Sequence, residues 1–195
     1  MASDRRALLV LGSAQSPGRL RLALDGAVER SRAGGVEIEL LDLAELRLAF
    51  ADGRDPAVLG DDTAALLEAI AGAEPLIFAT PVYRGSMTAA LKNLFDQLPV
   101  PALAGKVVGL IAMGGSDHHF LGADRHLRDV LSFFGALVLP TSVYLTAADF
   151  PDGEPGERAA ASLDELLASA FILARATDGA PTLGPPPLAA RMIRA

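Results

Sequence analysis

Apolar residues gather in five short runs, at 7–11, 36–41, 76–80, 107–113 and 136–145, and the chain between them alternates apolar and polar positions at helical spacing. The runs are largely apolar, most nearly unbroken at 7–11, 76–80 and 107–113, which predicts strands buried on both faces of a sheet. The intervening stretches, 20–32, 61–72, 87–98, 117–134 and 156–176, return apolar side chains every third or fourth position, as in Leu66, Leu67, Ile70 and Ala73. That period predicts one amphipathic helix after each strand. Regular alternation of strand and helix predicts an α/β architecture, a parallel sheet with helices on both faces.

Punctuation along the chain agrees with this division. Gly34 and Gly35 follow the first helix, where a chain leaving a helix commonly needs glycine. Asp61, Asp62 and Thr63 precede the second helix and place acceptors and negative charge at its positive end. Asp117 has the same place before the fourth. Gly105 opens the fourth strand after Leu98-Pro99-Val100-Pro101, and the segment 149–156 is a loop rich in proline, glycine and acid. Residues 1–180 are expected to form one domain. The stretch 181–187 is too rich in proline for a helix. With 188–195, either a frayed end or an arm on another subunit, it forms a C-terminal tail.

Composition narrows the function classes. A chain of 195 residues with net charge −7 and only two lysines, Lys92 and Lys106, has no basic stripe for a phosphate backbone. Nucleic acid is therefore not an expected partner. No apolar run approaches the roughly 20 residues of a membrane span. Nor does the N-terminal stretch carry the roughly 7–15 apolar residues of a secretory leader. Cysteine is absent, which excludes disulfides and thiolate chemistry and fits a cytoplasmic protein. His118, His119 and His126 lie close in sequence, but no acidic or histidine triad with ligand-like spacing completes a metal site, so no metal is expected.

The residues with chemical potential fall just beyond the strand ends, where open α/β sheets bind ligands. After the first strand come Gly12, Ser13, Ala14, Gln15, Ser16, Pro17, Gly18 and Arg19. Two hydroxyls, a guanidinium and the amides of the next helix would suit a phosphate; a plain turn with a solvated arginine is the alternative. After the third strand come Pro81, Val82, Tyr83, Arg84, Gly85 and Ser86, which combine an aromatic side chain with backbone amides. After the fourth come Gly114, Gly115 and Ser116, where missing Cβ atoms let the backbone approach a flat ligand or simply make a turn. Taken together, the three loops suit a phosphorylated flat heterocycle.

With the segments 79–83, 90–96 and 103–108 and the pair Gly114-Gly115, the chain resembles the NAD(P)H-dependent FMN reductases of flavodoxin-like fold. It resembles in particular those that supply reduced flavin to two-component monooxygenases. The resemblance runs from about residue 8 to 145. It implies a three-layer sandwich around a five-stranded parallel sheet of order 2-1-3-4-5, with FMN and NAD(P)H as cofactors. Gly12, Ser13 and Arg19 would meet the flavin phosphate, together with Gln15. Pro81, Val82, Tyr83, Gly85 and Ser86 would lie along the ring, and Gly114, Gly115 and Ser116 on its other side. Arg84 would meet the dinucleotide phosphates or remain in solvent. Hydride would pass from nicotinamide to flavin with a backbone amide of 82–84 near the ring and no catalytic side chain.

The chain departs from the family pattern at Gln15, where arginine is usual, and at Gly18 and Leu20, where polar side chains are common. Lys92 and Asp96 are four apart on one helix, as in an ordinary surface pair. The resemblance instead implies that the helix 87–98 meets its mate in a homodimer or homotetramer. A flavin-bound quinone, azo or chromate reductase, or a flavodoxin-like scaffold without turnover, remain the alternative readings.

Overall fold

Every residue of β1 (Ala7–Leu11) is buried, because the strand has a neighbour on each side and helices on both faces. The computed structural model that shows this describes residues 6–15, 17–178, 180 and 184. Ser16 and, apart from Gly184, the tail 181–195 lie outside the described residues. β1 pairs in parallel with β2 (Ile38–Asp42) and β3 (Leu76–Pro81), and β3 pairs with β4 (Val107–Met113). The strand order is β2-β1-β3-β4-β5, as expected of a flavodoxin-like sheet.

The fifth run departs from its expected form. It divides into β5 (Leu137–Val138), paired with the start of β4, and β6 (Val143–Leu145), paired with the end of β4. Pro140 lies in the gap and has no N–H to give to a ladder. Arg128 donates to the carbonyl oxygens of Leu139 at 2.8 Å and Pro140 at 3.2 Å, so two acceptors at the break are satisfied from a helix.

Side chains alternate between the two faces of each strand. Leu9, Leu11, Ile77, Val107 and Ile111 face the layer made by α1 (Arg19–Ala33) and α5 (Glu157–Thr177). Leu8, Val10, Phe78 and Leu110 face α2 (Thr63–Gly72), α3 (Ala89–Gln97) and α4 (Phe120–Phe134). Phe78 meets Phe95 of α3 edge-on, with centroids 5.0 Å apart.

The acids before α2 have a wider role than capping. Asp61 accepts from the amides of Thr63 at 2.9 Å and Ala49 at 2.7 Å, and Asp62 accepts from the amide of Arg47 at 2.8 Å. They fasten the long connection between β2 and α2. Asn93 and Gln97 of α3 also donate to the carbonyl oxygen of Ala49. α4 has His119 rather than Asp117 at its N-cap, without a side-chain cap bond, and Asp117 instead opens a short 3-10 turn ahead of it that Ser116 precedes. Among the described residues, no helix is long and apolar enough to cross a membrane.

Candidate functional site

The loops after β1, β3 and β4 form one continuous row, because the strands they leave are adjacent. The Gly12 amide donates to the Ala79 carbonyl oxygen at 2.7 Å, and the Val82 amide donates to that of Met113 at 2.8 Å. The Gly114 amide continues the row to Leu145 at 2.9 Å. Thr88 ties the loop after β1 to the loop after β3. Its hydroxyl donates to the Gly12 carbonyl oxygen and also accepts the Leu91 amide, capping α3. Gly12 has to be glycine here, since a Cβ would meet the Leu91 Cβ at 2.5 Å.

Tyr83 to Ser86 form a tight two-residue turn. The Tyr83 amide donates to the Ser86 carbonyl oxygen at 2.9 Å, and the Ser86 amide donates back at 3.1 Å. Arg84 and Gly85 both have positive φ, 52° and 76°, as the favoured hairpin turn requires. Only Gly85 adopts that conformation without cost. Tyr83 and Arg84 are exposed at the tip. Since the Val82 and Tyr83 amides are committed, the Arg84 and Gly85 amides are the donors of this loop without an acceptor among the described residues.

After β4, Gly114 is buried and Gly115 is exposed. The side of Gly114 that lacks a Cβ is filled by Tyr144 of β6, whose hydroxyl oxygen would lie 1.8 Å from such an atom. That hydroxyl donates to the Ser116 carbonyl oxygen at 2.8 Å, so Tyr144 braces the loop from beneath. Burial, and secondly the charge of Asp117, raise the Tyr144 phenol above its ordinary pKa. Gly115 faces open space, with no atom within 4 Å of where its Cβ would stand.

Among its described residues, the first loop carries fewer free side-chain donors than its composition suggests. The Ser13 hydroxyl donates to the Gln15 carbonyl oxygen at 2.6 Å and accepts the Gln15 amide at 3.2 Å. It therefore shapes the loop. Gln15 and Arg19 are exposed, and the Arg19 guanidinium has no partner among the described residues. The N-terminus of α1 has Gly18 at its cap, no side-chain cap bond and no acid in its first turn. Leu20 is buried in the core. The free amides of a helix start beside an arginine match the anionic phosphate of FMN, and the open Gly115 and the tip amides match a flat ring with acceptors along its edge. The residues present fit the group.

Arg21, by contrast, is not available to an anion. It is bound to Asp25 at 2.9 Å, Asp42 at 3.3 Å and Glu45 at 3.0 Å, and the hydrogen bond to Asp25 is the largest cause of its raised pKa.

Three parts of this arrangement are not visible in the loops' own sequences. Thr88, Tyr144 and the pair Gly122 and His126 of α4 all support the loops from other elements. A Cβ on Gly122 would meet the Gly85 carbonyl oxygen at 2.6 Å, and His126 Nδ1 lies 2.8 Å from Ser86 Oγ. A glycine inside a helical pattern, four residues before a histidine, is the available signal for a close approach.

Known proteins share both the sequence and the fold. Residues 5–150 match the model of the family described as NADPH-dependent FMN reductase. The NAD(P)H-dependent FAD/FMN reductase of Geobacillus thermodenitrificans is 42% identical over 109 residues, covering 56% of this chain and 59% of that protein. The NADH-dependent FMN reductase SfnF of Pseudomonas fluorescens is 38% identical over 154 residues, covering 78% of this chain and 82% of that protein. The apo crystal structure of an NADH:FMN oxidoreductase superimposes with a TM-score of 0.68 at 25% identity, covering 87% of this chain and 90% of that one.

Proposed function

The chain belongs to the NADPH-dependent FMN reductase family, and from that premise we propose that it takes up FMN, reduces it with NAD(P)H and releases it. The observation that carries release is the donor set of the first loop. Ser13 is committed within the loop, Gly18 and Leu20 offer no side-chain donor, and Gln15 stands where an arginine charge is usual. Each charge-assisted hydrogen bond is worth about 1.5–3 kcal/mol. Lacking one or two lowers affinity by roughly ten- to a thousandfold, at about 1.4 kcal/mol per decade. Such a site suits a flavin that comes and goes.

In this reading the amides at the start of α1 and Arg19 hold the phosphate. Pro81, Val82, Tyr83, Gly85 and Ser86 border the ring on one side, and Gly114, Gly115 and Ser116 on the other. The Arg84 and Gly85 amides point donors at its edge. Bound FMN supplies the hydride-accepting centre, so no side chain of this chain acts as acid or base. Arg84 lies where dinucleotide phosphates would approach. The reading extends to a domain of residues 1–180 with the tail 181–195 outside it, to pairing of subunits through the helix 87–98, and to delivery of reduced flavin to a monooxygenase in the cytoplasm.

The test is to purify the protein, titrate the apoprotein with FMN, and follow NAD(P)H oxidation with and without free FMN. The expected result is a colourless protein, saturable FMN binding and a rate that depends on added FMN. No effect of FMN on either rate or melting temperature overturns the reading. A yellow protein with ping-pong kinetics would place it instead among reductases that retain their flavin and reduce a quinone, azo dye or chromate.

A further inference from the structure

The turn that carries Tyr83 and Arg84 does not stand free at the sheet edge; it rests on α4. Two observations on the same face of that helix, one turn apart, describe the seat. At Gly122 the missing Cβ leaves room for the Gly85 carbonyl oxygen, which would lie 2.6 Å from such an atom. At His126 the ring Nδ1 lies 2.8 Å from the Ser86 hydroxyl oxygen. The first contact needs an absence of side chain and the second a particular one, so together they set both the height and the position of the turn. The turn needs outside support because Arg84, a non-glycine residue, holds φ of 52°, a conformation that persists where the surroundings enforce it.

We infer that His126 is a positioning residue for the flavin loop: through Ser86, and with Gly122 as the notch beneath Gly85, it holds the 83–86 turn so that the Arg84 and Gly85 amides face the ring. The inference rests on the FMN reductase reading for its ligand, though the seat itself is a property of the protein alone. The Ser86 hydroxyl can donate to a neutral ring nitrogen or accept from a protonated one, so the contact forms in either state of the imidazole. His126 touches neither cofactor nor substrate in this role; it acts only through the turn.

The turn contains its own reporter, since trypsin cleaves after arginine and the Arg84–Gly85 bond must leave the tight turn to enter a protease. In the apoprotein, the rate of cleavage at that bond, followed by mass of the fragments, reads the population of the unseated turn. His126→Ala is expected to raise that rate about two- to tenfold, the range for one hydrogen bond, with no change at arginines of α1 or α5. FMN affinity, read from quenching of flavin fluorescence, is expected to fall by a similar factor.

His126→Asn, whose amide can occupy the place of Nδ1, restores both. His126→Ala and Ser86→Ala combined have no more effect on cleavage than either alone, because they remove the same contact. Gly122→Ala provides an independent route to the same unseated turn. Cleavage after Arg84 that is unchanged in His126→Ala overturns the inference, as does a rise in cleavage with FMN affinity unaltered. If the parent protein binds no FMN while the cleavage rates respond as stated, the reductase reading falls and the seat remains.

Discussion

The Thr88 hydroxyl lies 2.5 Å from the Gly12 carbonyl oxygen, and both residues are buried. One side chain thus caps α3 and fixes the distance between the loops after β1 and β3. Thr88→Val keeps the shape but leaves that carbonyl and the Leu91 amide without a partner. Such groups cost about 1–3 kcal/mol when buried, and loss of a cap has a similar magnitude. Denaturant unfolding of Thr88→Val is expected to show a loss in that range, with unchanged slope and weaker FMN binding. Stability equal to the parent would show that the tie is dispensable.

Tyr144 and Gly114 form a second brace, which can be tested by relief of a clash. Gly114→Ala places a Cβ against the Tyr144 hydroxyl and ring, and overpacking of this kind costs about 1–3 kcal/mol. Tyr144→Ala in the same chain removes the obstacle, so the double variant is expected to lose less than the sum of the two single ones. Additive losses would place the two residues in separate environments.

The same tyrosine sets an alkaline limit. Its phenol is raised above the ordinary value by burial and by Asp117. A raised folded-state pKa gives a contribution that is fully present below the unfolded value of about 10 and is lost as pH rises from there through the folded value. Parent stability should therefore decline above that pH more steeply than that of Tyr144→Phe, measured by melting temperature against pH. Parallel profiles would remove Tyr144 as the cause.

Much of this architecture is legible in the chain because burial on both faces demands unbroken apolar runs, and a solvated segment has no reason to carry one. The first and fourth runs coincide with β1 and β4 to the residue. The fifth reads as one strand but is two, since Leu137, Val138, Val143 and Leu145 all satisfy the pattern. Hydrophobicity alone does not register that Pro140 cannot join the ladder.

The site is legible to a smaller depth. Its loops follow from strand ends, but their supports are long-range contacts. Nothing near Gly114 in sequence indicates that Tyr144 fills the space beside it, and nothing near Ser86 indicates His126. The acids at 61 and 62 read as caps because their sequence neighbours start a helix, but the Asp62 side chain makes no cap bond, and Ala49, the second partner of Asp61, and Arg47, the partner of Asp62, arrive from a connection with no pattern of its own.

Arg84 offers a test of the turn's conformational cost. An L-residue in the left-handed region costs about 1–2 kcal/mol relative to glycine. Arg84→Gly is expected to raise the melting temperature or leave it level, since glycine's larger unfolded-state entropy offsets part of the gain. If the guanidinium meets dinucleotide phosphates, the same variant raises KM for NAD(P)H with kcat retained. An unchanged KM assigns Arg84 to solvent.

Lys92 and Asp96 lie 2.5 Å apart on the outer side of α3, each about half exposed. Within one chain such an i,i+4 pair is worth about 0.2–0.5 kcal/mol, too little to account for more than local order. The helix bearing it also anchors the loop that carries the exposed Phe50, through bonds of Asn93 and Gln97 to the backbone of Ala49 and Ala51. If this surface pairs with its mate, Asp96→Lys brings like charges together across the contact while costing the single chain almost nothing. Scattering mass measured with size-exclusion chromatography should then fall to that of a smaller assembly, with the melting curve of the subunit little changed. An assembly of unaltered mass would locate the contact on another face.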